Sequence, residues 1–358
     1  MEKSMIRSTK HTLKFTTKSK REQINNLFLI YSLYLQKTID MLWNKDIEIK
    51  KNLSSKQITW LDNLGGQYKQ LIYKQASEIV RGTNNRKGKK SKPIVKNFTI
   101  NFDEKFIKSE ISNNSFDKWI RLRLPFIKQN YKNQRIEILI PIKEHKHSLK
   151  FKDWKQVKTI KLSKNYISFI FEKEAEPLKQ EGNSIGLDCG YKKLLVSSEG
   201  QIIGKELEGI YTKVSKKEQG SKAFKKALIE RDNKINEVIN KEVDLTNIKQ
   251  IVVEDLKHVK HKSKFRKQFN NKLQRWSYRK TIGKLERLCE ENRVLFTKIN
   301  PSYTSQQCSG CGTIDKANRK GELYQCSCGN VMDADYNASI NILHRGAYSP
   351  SILNEKSY

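Results

Sequence analysis

Residues 184–203, SIGLDCGYKKLLVSSEGQII, put a short apolar run in front of an acid, Asp188, and follow it with a second apolar run. This is the pattern of a buried strand ending in a carboxylate, with another strand behind it. Residues 248–256, IKQIVVEDL, repeat it: a nearly continuous apolar strand closes on Glu254. A third acid, Asp335, lies in VMDADYNASINI (331–342), just before a last helical stretch. An acid at the rim of a buried strand is costly to desolvate unless something compensates, and a divalent metal is a common answer. Taken singly, each acid reads as a cap or a surface pair. Together, in a chain this basic, they read as ligands of Mg²⁺, the arrangement of a two-metal phosphodiester cutter. Asp333 and Asp255 are neighbours easily confused with the ligands. The order of the acids fits a sheet in which distant strands meet at one edge.

Outward from these strands, residues 219–241 and 271–293 read as helices and RVLFTKIN (293–300) as another strand. The last helix, YNASINILHRG, is expected to stop at Gly346. Upstream, residues 7–16 have β character. From Arg21 to Trp43 the apolar residues Ile24, Leu27, Phe28, Tyr31, Leu35, Ile39 and Leu42 recur at a helical period. A second helical pattern covers about 55–80, interrupted at Gly65-Gly66, and a basic loop follows to Pro93. Residues 94–176 hold short β-rich runs such as IRLRLPF and YISFIFE, expected to form a small barrel-like unit. AEPLKQEGNS (175–184) reads as a linker.

The chain has 358 residues, with 71 Lys and Arg against 38 Asp and Glu, a formal net charge of +33. A surplus this large speaks about partners rather than fold, with nucleic acid the first candidate and anionic membrane the second. Residues 81–96 hold seven Lys or Arg and no acid, and residues 257–287 hold twelve against the single acid Glu286. Aromatic residues interleave the second run, and rings that stack on bases among cations that track phosphates favour nucleic acid. The contact candidates are Arg81, Arg86, Lys87, Lys89, Lys90, Lys264, Arg266, Lys267, Arg275, Trp276 and Arg279. No run approaches the roughly 18 apolar residues that span a bilayer. The first fifteen residues lack the apolar core of a signal peptide. The expectation is a soluble intracellular protein.

Cys308-x2-Cys311, fourteen residues, then Cys326-x-Cys328 gives four thiols in two close pairs, each trailed by glycine. Four thiolates suit tetrahedral Zn²⁺ and leave no open position, so the site reads as structural zinc. Two disulfides or four free thiols are the alternatives, and an intracellular setting disfavours the first. Cys189 and Cys289 read as buried small hydrophobes.

GLDCGYKKLLVSSEG, IVVEDL, NPSYTSQQCSGCG and CSCGNVMDADYNASINIL, in this order, resemble the TnpB family of transposon-encoded RNA-guided nucleases, related to the type V CRISPR effectors. The resemblance is strong over roughly 184–346. It implies an α+β multidomain fold: an RNase H-like RuvC nuclease domain (181–305 and 330–358) with an inserted zinc module at 306–329. A wedge-like β-barrel (1–20 and 94–180) would carry a helical recognition lobe (21–93). Asp188, Glu254 and Asp335 would be the catalytic acids, holding two Mg²⁺, with Mg²⁺ against Mn²⁺ left open. Cys308, Cys311, Cys326 and Cys328 would hold one Zn²⁺ in the path of the target strand. The family's usual D-R-D is here Asp333-Ala334-Asp335, without the middle Arg. The implied activity is guided cleavage of DNA beside a short flanking motif, with guide RNA and double-stranded target DNA as partners. It also implies a bacterial cytoplasmic, nucleoid-associated location; a monomer is slightly favoured. A compact type V effector and a non-cleaving guided repressor are the alternatives, and an unguided RuvC-type nuclease is a third.

Overall fold

The computed structural model describes residues 4–347 except 52, 63, 89, 112–113, 125–136, 191–192 and 257–276. The chain divides into two compact units, residues 1–174 and 175–358.

In the first unit, β1 (Ser4–Thr12) precedes α1 (Lys18–Asn44) and α2 (Gly66–Asn84). Then come β2 (Ile100–Phe102), β3 (Ile107–Ile111), β4 (Lys118–Arg123), β5 (Glu137–Ile142), β6 (Lys155–Leu162) and β7 (Tyr166–Glu174). The described strands form two antiparallel sheets, in the orders β1-β7-β6-β2 and β3-β4-β5. β1 pairs with β7 along its whole length, from Ser4 opposite Glu174 to Thr12 opposite Tyr166.

α1 starts where the Thr17 hydroxyl accepts the Lys20 backbone N–H, a side-chain N-cap. Its periodic apolar face, Ile24 through Leu42, is buried. That face shares one core with Tyr68, Ile72 and Val80 of α2 and with Ile120, Ile140 and Ile167 of the sheets. The Tyr31 hydroxyl inside this core donates to Gln75 Oε1 at 2.7 Å. The helical pattern from residue 55 is corrected. A single turn at Thr59–Leu61 stands alone and α2 begins at Gly66. A Cβ on Gly66 would lie 2.9 Å from the Ser55 side chain, so the glycine serves a close approach at a helix start. The basic loop is also shorter than expected, because α2 continues through Asn84.

In the second unit, β8 (Asn183–Asp188), β9 (Leu195–Ser197) and β10 (Ile202–Ile203) lead into α3 (Leu207–Ser215) and α4 (Lys222–Glu242). β11 (Ile248–Glu254), α5 (Tyr278–Glu291) and β12 (Leu295–Ile299) follow. The chain closes with β13 (Arg319–Lys320), β14 (Leu323–Gln325), β15 (Val331–Asp333) and α6 (Ala334–Ala347). The central sheet runs β10-β9-β8-β11-β12. β8, β11 and β12 are parallel, and β9 is antiparallel to β8.

Parallel strands are buried on both faces, and alternation divides the work. Ile185, Leu187, Ile251 and Val253 pack in one core with Ile239 of α4 and Ile282, Leu285 and Cys289 of α5. The alternate positions meet α6. A Cβ on Gly186 would fall 2.2 Å from the Ser339 carbonyl oxygen, so only glycine lets α6 ride this close to β8. Gly346 makes the same contact on β11, where an added Cβ would lie 2.3 Å from Val252 Cγ1. Gly346 therefore lies inside α6 and does not stop it, which corrects the sequence reading. Cys189 and Cys289 are buried among apolar side chains, as expected. No helix among the described residues is long and apolar enough to cross a membrane.

Candidate metal centres

The strand register decides where the acids stand. Leu187 lies opposite Val253 in the parallel β8–β11 ladder, so Asp188 and Glu254 come next on adjacent strands, at their C-terminal ends. Side chains two residues apart share a face. Asp188 therefore projects with Gly186, and Glu254 with Val252, toward α6. Asp335 sits in the first turn of that helix. The helix starts at Ala334, earlier than the expected Tyr336, so Asp335 is part of it.

Electrostatics couples the three. Burial first, then the Glu254 and Asp335 carboxylates, push the Asp188 carboxyl up to about 8, against the pull of Arg319. Burial also raises Glu254, opposed by the Thr304 hydroxyl and by Arg345 and Arg319. Thr304 donates to Glu254 Oε1. The Glu254 carbonyl accepts from the Tyr278 hydroxyl. Asp188, Glu254, Thr304, Lys298 and Arg319 line an open cavity of about 710 Å³, within the usual range of ligand sites. A carboxyl raised by burial and by two neighbouring carboxylates, as Asp188 is, marks a donor set of hard oxygens short of positive charge, which fits a hard divalent cation.

The two acids of the Asp333-Ala334-Asp335 segment separate cleanly. Asp333 Oδ1 caps α6 by accepting the Asp335 and Tyr336 backbone N–H groups at 3.0 and 3.1 Å. Its other oxygen accepts from Lys193 Nζ at 2.5 Å. Although burial raises the Asp333 carboxyl, Lys193 and the cap hold it below its usual value. Asp335 is left facing Arg319, whose Nη2 donates to Oδ1 at 2.9 Å, and lies 3.7 Å from Lys193 Nζ. Ala334, where the resemblance expects Arg, is fully buried. Arg319 was not singled out in the sequence. The only signal was a lone Arg in the otherwise unremarked spacer between the cysteine pairs. Asp255, the other neighbour, continues the β11–β12 ladder through its N–H to the Ile299 carbonyl.

The cysteines form the second centre. The ligand atoms of Cys308, Cys311, Cys326 and Cys328 all lie within 4.8 Å of one another. Cys308 and Cys328 sulfurs are 3.7 Å apart, as are those of Cys311 and Cys326. Four sulfurs at the Zn–S distance of 2.3 Å would span tetrahedral edges of about 3.8 Å. Each pair sits on a tight turn, closed by Gly312 N–H to the Cys308 carbonyl and by Gly329 N–H to the Cys326 carbonyl. The φ values of +79° and +92° at these residues suit glycine. Burial raises the Cys308 thiol, but the Asn330 amide and the Cys311 and Gly310 backbone N–H groups prevail and bring it down to about 6. The set fits soft, thiolate-bound zinc. β13, β14 and β15 make a small sheet around it. α6 clamps it: Asn337 accepts from Ser309 N–H, and its amide donates to the Gln307 carbonyl.

Of the nucleic-acid candidates, Arg81 is exposed in the last turn of α2, and Arg86, Lys87 and Lys90 are exposed just after it. Arg279 is exposed at the start of α5. Lys89, Lys264, Arg266, Lys267, Arg275 and Trp276 lie outside the described residues.

Residues 278–342, from α5 into α6, match the family description "Cas12f1-like, TNB domain". A stretch of 72 residues is 46% identical to the CRISPR-associated endodeoxyribonuclease Cas12f1 of Sulfoacidibacillus thermotolerans, covering 20% of this chain and 17% of that protein. Over 218 residues the chain is 27% identical to a TnpB-like protein of Methanocaldococcus jannaschii, covering 58% of this chain and 74% of the relative. The chain is thus similar both to TnpB-like proteins and to Cas12f1. The match to TnpB-like proteins reaches well beyond the TNB segment, whereas matches to the first three curated relatives span only 13–23% of their lengths. Its mixed α+β fold is similar to that of Cas12f1 solved in complex with sgRNA and target DNA. The TM-score is 0.61 at 16% identity, covering 91% of this chain and 83% of the other.

Proposed function

We propose that the protein is an RNA-guided DNA endonuclease that cuts target DNA beside a short flanking motif, using a RuvC-like second unit. The observation that carries this reading is the meeting of Asp188, Glu254 and Asp335 at one end and on one face of a parallel sheet, beside an open cavity. On this reading those three side chains would hold two Mg²⁺, which when bound supply water activation and stabilise the leaving oxygen.

The chain's own groups do the rest. Hydrolysis forms a bond from water oxygen to phosphorus and breaks one from phosphorus to a sugar oxygen, while negative charge spreads over the phosphate oxygens. Arg319 and Lys298 line the same cavity and can donate to those oxygens. Thr304 fixes one oxygen of Glu254 and leaves the other for a ligand. Lys193 holds Asp333, which fixes the start of α6 and so the aim of Asp335. The zinc module, residues 306–329, would keep Arg319 in reach, in the path of the target strand. Residues 1–20 and 94–180 would act as a wedge barrel gripping guide RNA, and 21–93 as a recognition lobe. The +33 net charge and the fold shared with a guide-bound effector support guide RNA and target DNA as partners.

The test is to purify the protein with the RNA it binds and to challenge a supercoiled plasmid bearing the matching target, with Mg²⁺. Linearisation by the native chain is expected, together with loss of cutting but retained guided binding in Asp188→Ala. Undiminished cutting by that variant would overturn the assignment.

A further inference from the structure

We propose that Tyr278 is a positioning residue for Glu254: its hydroxyl, reaching from α5, closes the end of β11 and fixes the backbone from which the Glu254 carboxylate is aimed. The inference rests on the reading of Glu254 as a ligand of a divalent ion. Tyr278 is not among the residues that line the carboxylate cavity, so it acts through Glu254 and not on a substrate.

The end of β11 needs an outside partner. Its register with β8 stops at the Leu187–Val253 pair, one residue before Glu254. On the other side, the Asp255 N–H goes to the Ile299 carbonyl of β12. The Glu254 carbonyl and the Leu256 N–H lie past the β8 ladder. The Tyr278 hydroxyl serves both at once, donating to the Glu254 carbonyl and accepting the Leu256 N–H at 3.0 Å. A phenolic hydroxyl donates and accepts, so one oxygen can hold both groups. Glu254 is thus held twice, by Tyr278 through its main chain and by Thr304 through its carboxylate.

The ring is itself fixed. Tyr278 opens α5 on the buried face that continues through Thr281, Ile282, Leu285 and Cys289. The Ser277 carbonyl accepts the Lys280 and Thr281 N–H groups at 2.8 and 2.9 Å, which sets the first turn. The Ser277 hydroxyl meets the Tyr211 hydroxyl of α3 at 2.9 Å, and both side chains are buried. Core filling alone does not call for this residue type. Phenylalanine would supply the same ring, whereas a buried hydroxyl is costly unless it has partners. Here both partners are main-chain groups on either side of Asp255, so the oxygen acts on the backbone that carries Glu254. Groups that orient metal ligands in this way tune the affinity of the site.

The test uses the full zinc-loaded chain and Mn²⁺, with the free ion followed by electron paramagnetic resonance. The native chain should bind Mn²⁺, and Asp188→Ala should lose that binding. Tyr278→Phe should weaken it about 10- to 100-fold, the usual effect of losing a group that orients a ligand. Ile282→Ala, one turn along the same buried face, is the control for packing: it should lower the melting temperature and leave Mn²⁺ affinity unchanged. In cleavage, Tyr278→Phe should raise the half-saturating Mg²⁺ concentration, while guided binding of target without Mg²⁺ is retained. Native affinity for Mn²⁺ in Tyr278→Phe, where Asp188→Ala has lost it, would overturn the positioning role and leave the carboxylate site standing. Equal weakening in Tyr278→Phe and Ile282→Ala would also overturn it, because packing would then account for the effect. Mn²⁺ binding that Asp188→Ala leaves intact would overturn the metal reading of the acids, and the positioning role with it.

Discussion

Arg319 Nη2 donates to Asp335 Oδ1 at 2.9 Å, although the two are sixteen positions apart and a cysteine pair lies between them in the chain. The guanidinium offsets part of the carboxylate charge and faces the same cavity. Two effects follow from its removal, and they have opposite signs. Arg319→Ala should tighten divalent-ion binding, read by calorimetry, because a competing cation is lost. The same variant should slow single-turnover cleavage about 100- to 1,000-fold, the usual cost of losing a donor aimed at developing charge.

The Asp188 carboxyl is raised to about 8 from an ordinary 3.8. The neutral form is therefore favoured in the folded chain, and the unfolded chain releases its proton first. Stability of the metal-free protein should be greatest, as far as this group contributes, below about 4, and should be lost progressively as pH rises through about 8. Divalent ions stabilise the ionised form, so the rise in Tm with Mg²⁺ should grow between pH 6 and 8.5. A Tm increment that does not change with pH would contradict this.

Asp333 and Asp335 should part company on mutation. Asp333 caps α6, so Asp333→Ala should cost about 1 kcal/mol of stability and reduce cutting without abolishing it. Asp335→Ala should abolish cutting while leaving the melting curve close to that of the native chain or above it. Thermal melts and plasmid cleavage on the two variants check both halves.

Zinc content separates the six cysteines. Native protein should contain one zinc per chain by elemental analysis, and Cys308→Ser or Cys326→Ser should lose it. Cys189→Ala and Cys289→Ala should keep it, because both side chains belong to the apolar core of the central sheet. Strong chelation should also stop cutting after Mg²⁺ is restored, since the small sheet that carries Arg319 depends on the cysteine turns.

Much of this was legible because strong local patterns coincided with tertiary roles. The i, i+3, i+4 spacing of Ile24 to Leu42 belongs to a face that is indeed buried. The apolar run before Asp188 is a strand in a sheet covered on both sides. The cysteine spacing carries its own geometry. Close approach was not legible. Gly346 and Gly66 read as breaks, because a glycine that ends a helix and one that lets a neighbour come near look alike in sequence. Nor was Arg319, whose partner is fixed only by the fold.

The fourteen-residue spacer between the cysteine pairs is anchored at both ends by sulfur and in the middle by Arg319 reaching Asp335. Its length is thus a mechanical dimension and not a free parameter. Adding or removing residues on either side of Arg319 would shift the guanidinium along the small hairpin while leaving every thiol in place. A transplanted finger from an unrelated protein would bind its ion, fold, and still leave Asp335 without the guanidinium that faces it. Engineering of this segment should conserve the count between Cys311 and Arg319, and between Arg319 and Cys326, before it conserves composition.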